Sequence, residues 1–377
     1  MTRAISHPHW GNSPWSIDFQ PAPSSIPAKA DFAIVGGGFS GLSAASWLRR
    51  FAPGKSVVLF ESVAIGAGSS GHTGGLALAE TAAGNLPGLG DVLAGFTTIL
   101  SELAVDCDCQ LPGAIEVGRS GGLPDSPISW SDSGLLRAVR QVPGGTIDPG
   151  KMVSGLARAA ETSGAQIFEN LPIKEILFEN PVRLRFQGGE LRARKVLLAT
   201  NGMSLELSDL ARRAQTKFTL AVATEPLRAA QIESLGLASQ KPFYTIDFPY
   251  LWGRLLRTGG VVFGGGLVHM DDWRELMNLD IDEGESAELI ARLESRVRAL
   301  HPALQTVLFT NRWGGPILIA NEWRPVFARH PQSQSVVVLG AYSGHGVAQS
   351  VYLGRWAAEV LCGNSSLPDW NPAEEKA

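Results

Sequence analysis

Residues 31–61 read DFAIVGGGFSGLSAASWLRRFAPGKSVVLFE. The apolar run Phe32–Val35 suits a strand buried on both faces of a parallel sheet. Gly36, Gly38 and Gly41 follow in GxGxxG spacing. Gly36 permits a tight turn, Gly38 lets the backbone approach a pyrophosphate, and Gly41 lets the next helix pack close to the sheet. That helix begins near Phe39 and Ser40, and its N-terminal N–H groups and dipole point at the phosphates. Val57–Phe60 is the second strand, and Glu61 falls twenty residues after Gly41. A carboxylate there accepts hydrogen bonds from ribose hydroxyls and repels a 2′-phosphate, so an adenosine diphosphate moiety fits better than NADP. Glycine turns are common, but here strand, helix, second strand and acid fall in register, which points to a dinucleotide site.

The chain of 377 residues is too long for one ordinary core and suggests two domains. It is 44% hydrophobic and 18% charged, a globular composition, and its formal net charge of −4 without a basic patch argues against nucleic acid. Many of the 43 glycines cluster at Gly36–Gly38, Gly74–Gly75, Gly264–Gly266 and Gly314–Gly315. Cys107, Cys109 and Cys362 make neither a disulfide framework nor a zinc site, and no metal is expected. The N-terminus, MTRAISHPHWGNSPW, lacks the apolar core of a signal peptide. No run of about eighteen apolar residues suggests a membrane span. A reducing cytoplasm is the expected location.

Residues 1–30 read as an irregular arm whose Trp10 and Trp15 pack onto the body. Residues 62–85 form a long loop of small residues, and such loops inside compact domains are usually functional. A helix is expected near Val92–Val105 and an amphipathic one over Asp148–Gly164, with Met152, Leu156 and Ala160 on one face. Strands are expected at Gln166–Glu169, Ile173–Glu179 and Val182–Phe186, then in the apolar run KVLLATNG, residues 195–202. Residues 215–266 read as antiparallel sheet with a turn at Gly259–Gly260. Residues 283–300 read as a charged, solvated helix, and 304–327 return to strand. Val336–Leu339, a glycine turn and a closing helix end the chain, a second place where a helix N-terminus can meet a ligand.

GGGFSG with Glu61, the loop GAGSSGHTGG, the strand KVLLATNG and the terminal LGAYSGHGVAQSVYLGRWAAEVL occur in this order. Together they resemble the D-amino-acid oxidase, glycine oxidase and sarcosine oxidase superfamily of FAD enzymes over nearly the whole chain. Within it the chain is most similar to the γ-glutamylputrescine oxidase-like branch, on the Gly74–Gly75 pair and the YSGHG turn at Tyr342–Gly346. The resemblance implies an α/β fold: a Rossmann-type FAD-binding domain interleaved with an α+β substrate domain built on a mixed, largely antiparallel sheet. The first would combine residues 30–90, 145–215 and 330–377, the second residues 91–144 and 216–329.

The resemblance implies FAD held without a covalent bond. Its contacts would begin with the motif residues Gly36, Gly38, Phe39, Ser40, Gly41 and Glu61. The loop would add Ser69, Ser70, His72, Thr73, Gly74, Gly75 and Leu76. Ile173, Ala199, Thr200 and Gly202 would follow, with Trp313 and Gly314. The terminal turn would supply Ser343, Gly344, Gly346 and Val347. His72 matches the position that carries a covalent flavin in dimethylglycine and sarcosine dehydrogenases, and is the candidate attachment point if such a bond exists. The cysteine that holds FAD in monomeric sarcosine oxidases aligns near Gly314. Their lysine above the flavin aligns with the apolar Val262 or a neighbour, which leaves oxygen, a quinone or another carrier as the electron acceptor.

Such enzymes oxidise a C–N bond by hydride transfer to flavin N5, giving an imine that water hydrolyses. Donors at the terminal turn, His345 among them, suit the charge that develops on the ring. A roof over the pocket is expected from DFPYLWGRLLR, residues 247–257, where Tyr250, Trp252 and Arg254 alternate onto one face. Arg254, and Arg312 beside Trp313, would bind an anionic group of the substrate. The expected activity is oxidation of a small amine or amino acid, primary or N-substituted. The alternatives are a 2-hydroxy-acid dehydrogenase and a flavin-binding subunit of a larger electron-transfer complex.

Overall fold

The computed structural model describes residues 9–370; residues 1–8 of the arm and 371–377 of the last segment lie outside the described residues. The first strand, Lys29–Val35, lies parallel to Val57–Phe60 on one side and Gly189–Leu198 on the other. Phe32, Ala33, Ile34 and Val35 pair in step with Val57 to Phe60. Gln166–Phe168 and Ser333–Gly340 extend the parallel sheet outward, and Val326–His330 closes one edge antiparallel. Ile173–Leu177 and Val182–Phe186 form an antiparallel branch off Gly189–Leu198. Most of these strands fall on the expected segments, but Gly189–Leu198 begins six residues before the expected run 195–202, and Val326–His330 runs past the expected 304–327.

Three chain crossings meet at the carboxyl ends of these strands. Gly36 N–H donates to the Phe60 carbonyl at 2.8 Å, and Ala199 N–H donates to Val35 at 2.8 Å. A Cβ on Gly36 would lie 2.5 Å from the Ala199 carbonyl oxygen, and Gly36 has φ +112°, so no side chain fits. A Cβ on Gly41 would meet the Gly36 carbonyl oxygen at 2.0 Å. The helix Phe39–Phe51 is therefore drawn hard against the turn, in the packing role the motif assigns to its third glycine.

On the far side this helix packs on the terminal helix Gly346–Cys362. Small residues make the contact: Gly354 sits against the Ser40 carbonyl, and Ser43 Oγ donates to Val351 O at 2.7 Å. The helix Pro149–Thr162 is capped by Asp148, whose side chain accepts from Lys151 N–H, and it buries Met152, Leu156 and Ala160 as expected. The helix Val92–Glu102 joins this same core through Phe96, Ile99 and Leu100, although residues 91–144 were expected in the substrate domain.

The second sheet runs Phe309–Ala320, Ala214–Thr224, Val261–His269, Leu251–Leu255, Phe243–Thr245, Ala114–Gly118, Leu135–Val142, Ser129–Ser131. All neighbours are antiparallel except Phe243–Thr245 with Ala114–Gly118, which gives the mixed, largely antiparallel sheet expected. The strands between 114 and 142 were not anticipated, because Gly and Pro dominate the surrounding sequence. The helix Gly284–Leu300 is amphipathic rather than simply solvated. Ile290, Leu293, Val297 and Leu300 join the core of this sheet, and Glu294 is buried.

Replacing Gly41 by Ala is expected to destabilise the fold by about 1–3 kcal/mol, read as a lower thermal midpoint. Ala at the open position Gly54, where an added Cβ meets nothing within 4 Å, is the neutral control.

Candidate active site

The first sheet's carboxyl ends, the small-residue loop and the second sheet line one open cavity of about 1140 Å³. Gly36, Gly38, Phe39, Ser40 and Glu61 line one end. Ser69, Ser70, His72, Thr73, Gly74 and Leu76 follow along the loop. Ile173, Ala199, Thr200 and Gly202 line it from the first sheet, and Ser343 to Val347 from the terminal turn. Thus most of the expected binding residues, scattered over more than three hundred positions, face one space.

Glu61 is held in place rather than free. Its carboxylate accepts from Gly37 N–H at 2.8 Å, Val63 N–H at 3.0 Å and Ser62 Oγ at 3.1 Å. Burial raises its carboxyl above the ordinary range, against these bonds. Ser70 Oγ accepts from Phe39 N–H at 3.0 Å, so the loop reaches back over the first helix N-terminus.

Asn201 ties the cavity together. Its Oδ1 accepts from Ala341 N–H at 2.9 Å, and its Nδ2 donates to Ser69 Oγ at 3.1 Å. Ser69 Oγ in turn donates to the Pro316 carbonyl at 2.7 Å. One amide therefore links the first sheet, the terminal turn, the loop and the second sheet. Beyond it Ala341, Ser343 and Gly344 all have positive φ, at 58°, 52° and 89°. Two non-glycine residues in this conformation within one turn mark backbone held by its surroundings.

The loop is not irregular throughout. Ser69–His72 is a helical turn, and Leu76–Leu78 pairs with Gly144–Thr146. The arm secures it from outside. Trp10 O accepts from Gly314 N–H at 2.9 Å, and Asn12 N–H donates to Arg312 O at 2.8 Å, adding a short bridge to the second sheet. Trp10 meets the His72 ring edge-on at 5.2 Å, and Trp15 Nε1 donates to Gly71 O at 3.0 Å. Both tryptophans pack, as the arm was read.

His72 and His345 line the cavity from opposite segments. Each Nδ1 faces a backbone carbonyl: Gly68 O at 3.0 Å and Ser343 O at 3.4 Å. Burial lowers both imidazole pKa values from the ordinary one, so both are neutral near pH 7.

Several expected residues stand elsewhere. Arg254 shares a face with Tyr250 and Trp252, but the strand carries it past the cavity and under the loop. It is buried, and its Nη1 donates to Gly75 O at 3.3 Å and Ile147 O at 2.5 Å. Its guanidinium lies 5.5 Å over Trp15, and burial pushes its pKa down to about 10. Arg312 pairs with buried Glu294 at 2.6 Å, also outside the cavity. Neither arginine is placed to bind a substrate anion there. Trp313 is buried behind the loop, donating to His72 O at 3.0 Å, and Gly314 packs on Phe218, so Gly315 and Pro316 form the wall instead. Gly75 and Gly41 support the cavity without lining it. Val262 is buried away from it, while Lys217 lines it, with Nζ 2.7 Å from His269 Nδ1.

Tyr250 and Trp252 do line the cavity, with exposed Phe248 beside them. Trp252 fits between two glycines: a Cβ on Gly74 or Gly264 would lie 2.1 or 2.0 Å from its ring. The preceding loop is pinned from behind. Arg119 Nη1 donates to Phe248 O at 3.0 Å, Arg296 Nη2 donates to Pro249 O at 2.8 Å, and both arginines pair with Asp132.

Sequence reasoning missed Glu80, Glu116 and Tyr244, which also line the cavity. Tyr244 pairs in register with Glu116, and Glu116 with Arg140, so the three side chains lie side by side across three strands. Tyr244 Oη donates to Glu116 Oε1 at 2.9 Å, and Arg140 grips Glu116 with two bonds of 2.8 Å. Glu80 had a visible signal, being the sole charged residue between 62 and 85.

The chain matches the family model described as "FAD dependent oxidoreductase" over residues 31–360, and it belongs to that family. It is 27% identical to gamma-glutamylputrescine oxidoreductase of Escherichia coli (strain K12), over 90% of this chain and 85% of that one. It is 23% identical to glycine oxidase of Bacillus licheniformis, over 59% of this chain and 56% of that one. Its fold matches the crystal structure of glycine oxidase from Geobacillus kaustophilus with a TM-score of 0.71 at 16% identity, covering 92% and 98% of the two chains.

The residues present fit FAD. The glycine crevice at Gly36 and Gly38 leaves no room for a side chain: a Cβ on Gly38 would lie 2.8 Å from Ser70 Oγ. Thr200 Oγ1 and Ser350 Oγ line the same cavity and have no hydrogen-bond partner among the described residues. Both are placed to meet a polar ligand.

Asn201→Ala removes a bond to each neighbour and leaves Ala341 N–H buried. It is expected to cost about 1–3 kcal/mol and to speed loss of bound flavin, followed by fluorescence of released FAD. The neutral histidines also set a pH dependence. Their folded pKa values lie below the unfolded one, so the unfolded chain binds more protons in acid. Their contribution is complete above about pH 6.5 and is lost as pH falls through the folded values. A double His72→Gln, His345→Gln variant is expected to show a flatter fall of thermal midpoint between pH 7 and 5 than the parent.

Proposed function

We propose that this FAD-dependent oxidoreductase acts on the C–N bond of a small amine or amino acid, converting it to an imine that hydrolyses. The observation that carries this reading is the cavity itself, lined by the glycine crevice, two neutral histidines and an aromatic wall. The relatives support it through what their names state: one oxidises a putrescine derivative, another glycine. The expected domain division belongs to the same reading, with a flavin-binding part on the first sheet and a substrate part on the second. So do a noncovalent flavin, a cytoplasmic setting, and oxygen or a quinone-type carrier as acceptor. No helix among the described residues is long and apolar enough to cross a membrane.

Bound in this cavity, FAD supplies a two-electron acceptor for a hydride. The crevice at Gly36–Phe39 would take its pyrophosphate, Glu61 its ribose, and Ser69, Ser70, Thr200 and Ser350 its remaining polar groups. The first N–H groups of the helix Gly346–Cys362, whose first residues line the cavity, would stabilise the negative charge that the flavin takes up on reduction. His72 and His345 place no positive charge near the substrate nitrogen, so a neutral amine is not disfavoured. Trp252, Tyr250 and Phe248 would give the reacting end an aromatic wall. No side chain is required as general base if the amine sheds its proton on entry.

Acid precipitation is expected to leave the flavin in the supernatant, and anaerobic addition of amines to bleach the flavin band of the intact holoprotein. Flavin retained in the pellet overturns noncovalent binding. Bleaching by 2-hydroxy acids but not amines overturns the C–N reading.

A further inference from the structure

The charge lining the cavity is lopsided. Among the described residues its charged side chains are Glu61, Glu80, Glu116 and Lys217, with no arginine. Glu61 is committed to three donors at the crevice, and Glu116 to Arg140 and Tyr244. Lys217 stands against His269. Glu80 differs from all of them. Its nearest cation is Arg140 at 3.7 Å, beyond hydrogen-bond distance, because that guanidinium is engaged by Glu116. Its carboxylate makes no hydrogen bond among the described residues, yet its side chain is only 33% exposed.

The position of Glu80 is fixed. Its carbonyl accepts from Gln349 Nε2 at 2.8 Å, which anchors it to the terminal helix whose first residues line the cavity. It is near enough to His345 and Tyr244 to act on both electrostatically. Glu80, Glu116 and Arg140 together leave one net negative charge in this corner. Tyr244 borders the same corner, and an aromatic face further favours a cation.

We propose that Glu80 selects the substrate: an amine that carries a second, positively charged group, which the Glu80 carboxylate holds beside Tyr244. This rests on the amine reading above and replaces the anionic substrate expected from Arg254 and Arg312. The distal cation forms a charge-assisted hydrogen bond with a carboxylate whose acceptors are otherwise unused. A neutral or anionic group at the same distance gains nothing there or is repelled.

The test uses three probes of equal length, 1,4-diaminobutane, n-butylamine and 4-aminobutanoate, added anaerobically to the holoenzyme. Dissociation constants are read from saturation of the flavin-reduction rate, and from perturbation of the flavin spectrum where no reduction occurs. The diamine is expected to bind about ten- to hundredfold more tightly than butylamine, and the amino acid most weakly. In Glu80→Gln the ratio of diamine to butylamine affinity is expected to fall to within about threefold, with the thermal midpoint as in the parent. Glu80→Asp is expected to restore part of the preference. A parent that binds butylamine or 4-aminobutanoate as tightly as the diamine, or a Glu80→Gln variant that keeps the diamine preference, overturns the proposal. Diamine-selective binding without reduction by any amine keeps Glu80 as the cation site and overturns the C–N reading instead.

Discussion

The side-chain amide of Asn201 holds the site together. It spends both of its hydrogen-bonding ends on neighbours that the chain reaches only much earlier or much later. Through Ala341 it fixes the terminal turn, and through Ser69 and Pro316 it fixes the loop and the second sheet. These polar bonds are part-buried, and losing the one to Ala341 leaves the N–H of a fully buried residue without its partner. The left-handed residues of the terminal turn persist because this network over-determines them.

Arginine placement shows how the second sheet is built. Arg254 and Arg312 look like ligand-binding residues in sequence because each lies beside aromatic residues and glycines. In the fold both hold structure: Arg254 satisfies the carbonyls beneath the loop, and Arg312 neutralises buried Glu294. Arg119 and Arg296 do likewise for the aromatic loop through Asp132. Among the described residues no arginine lines the cavity, whose charged side chains are Glu61, Glu80, Glu116 and Lys217.

The glycine crevice was legible because its signals are local. GxGxxG, the flanking apolar strands and Glu61 all lie within about thirty residues, and every constraint acts between near neighbours. The loop glycines and the terminal turn were legible for a similar reason, since close backbone approach demands glycine at particular places. The strands between residues 114 and 142 were not, because they are stabilised by pairing with distant strands and their own pattern is interrupted by turns. Likewise Gly284–Leu300 showed its charge pattern but not Glu294, whose burial depends on a strand arriving with Arg312.

The order of motifs along the chain was sufficient to determine a Rossmann-type nucleotide site, a second largely antiparallel sheet and membership in a family of FAD-dependent oxidoreductases, because backbone geometry and apolar periodicity are written in short stretches. What lines the second-sheet end of the cavity was decided only by tertiary structure. Tyr244, Glu116 and Arg140 become neighbours through strand register, Glu80 joins them through the terminal helix, and Arg254 leaves the site because its strand runs past the cavity's edge. Charge complementarity depends on distance and burial, and neither is a property of position in a sequence.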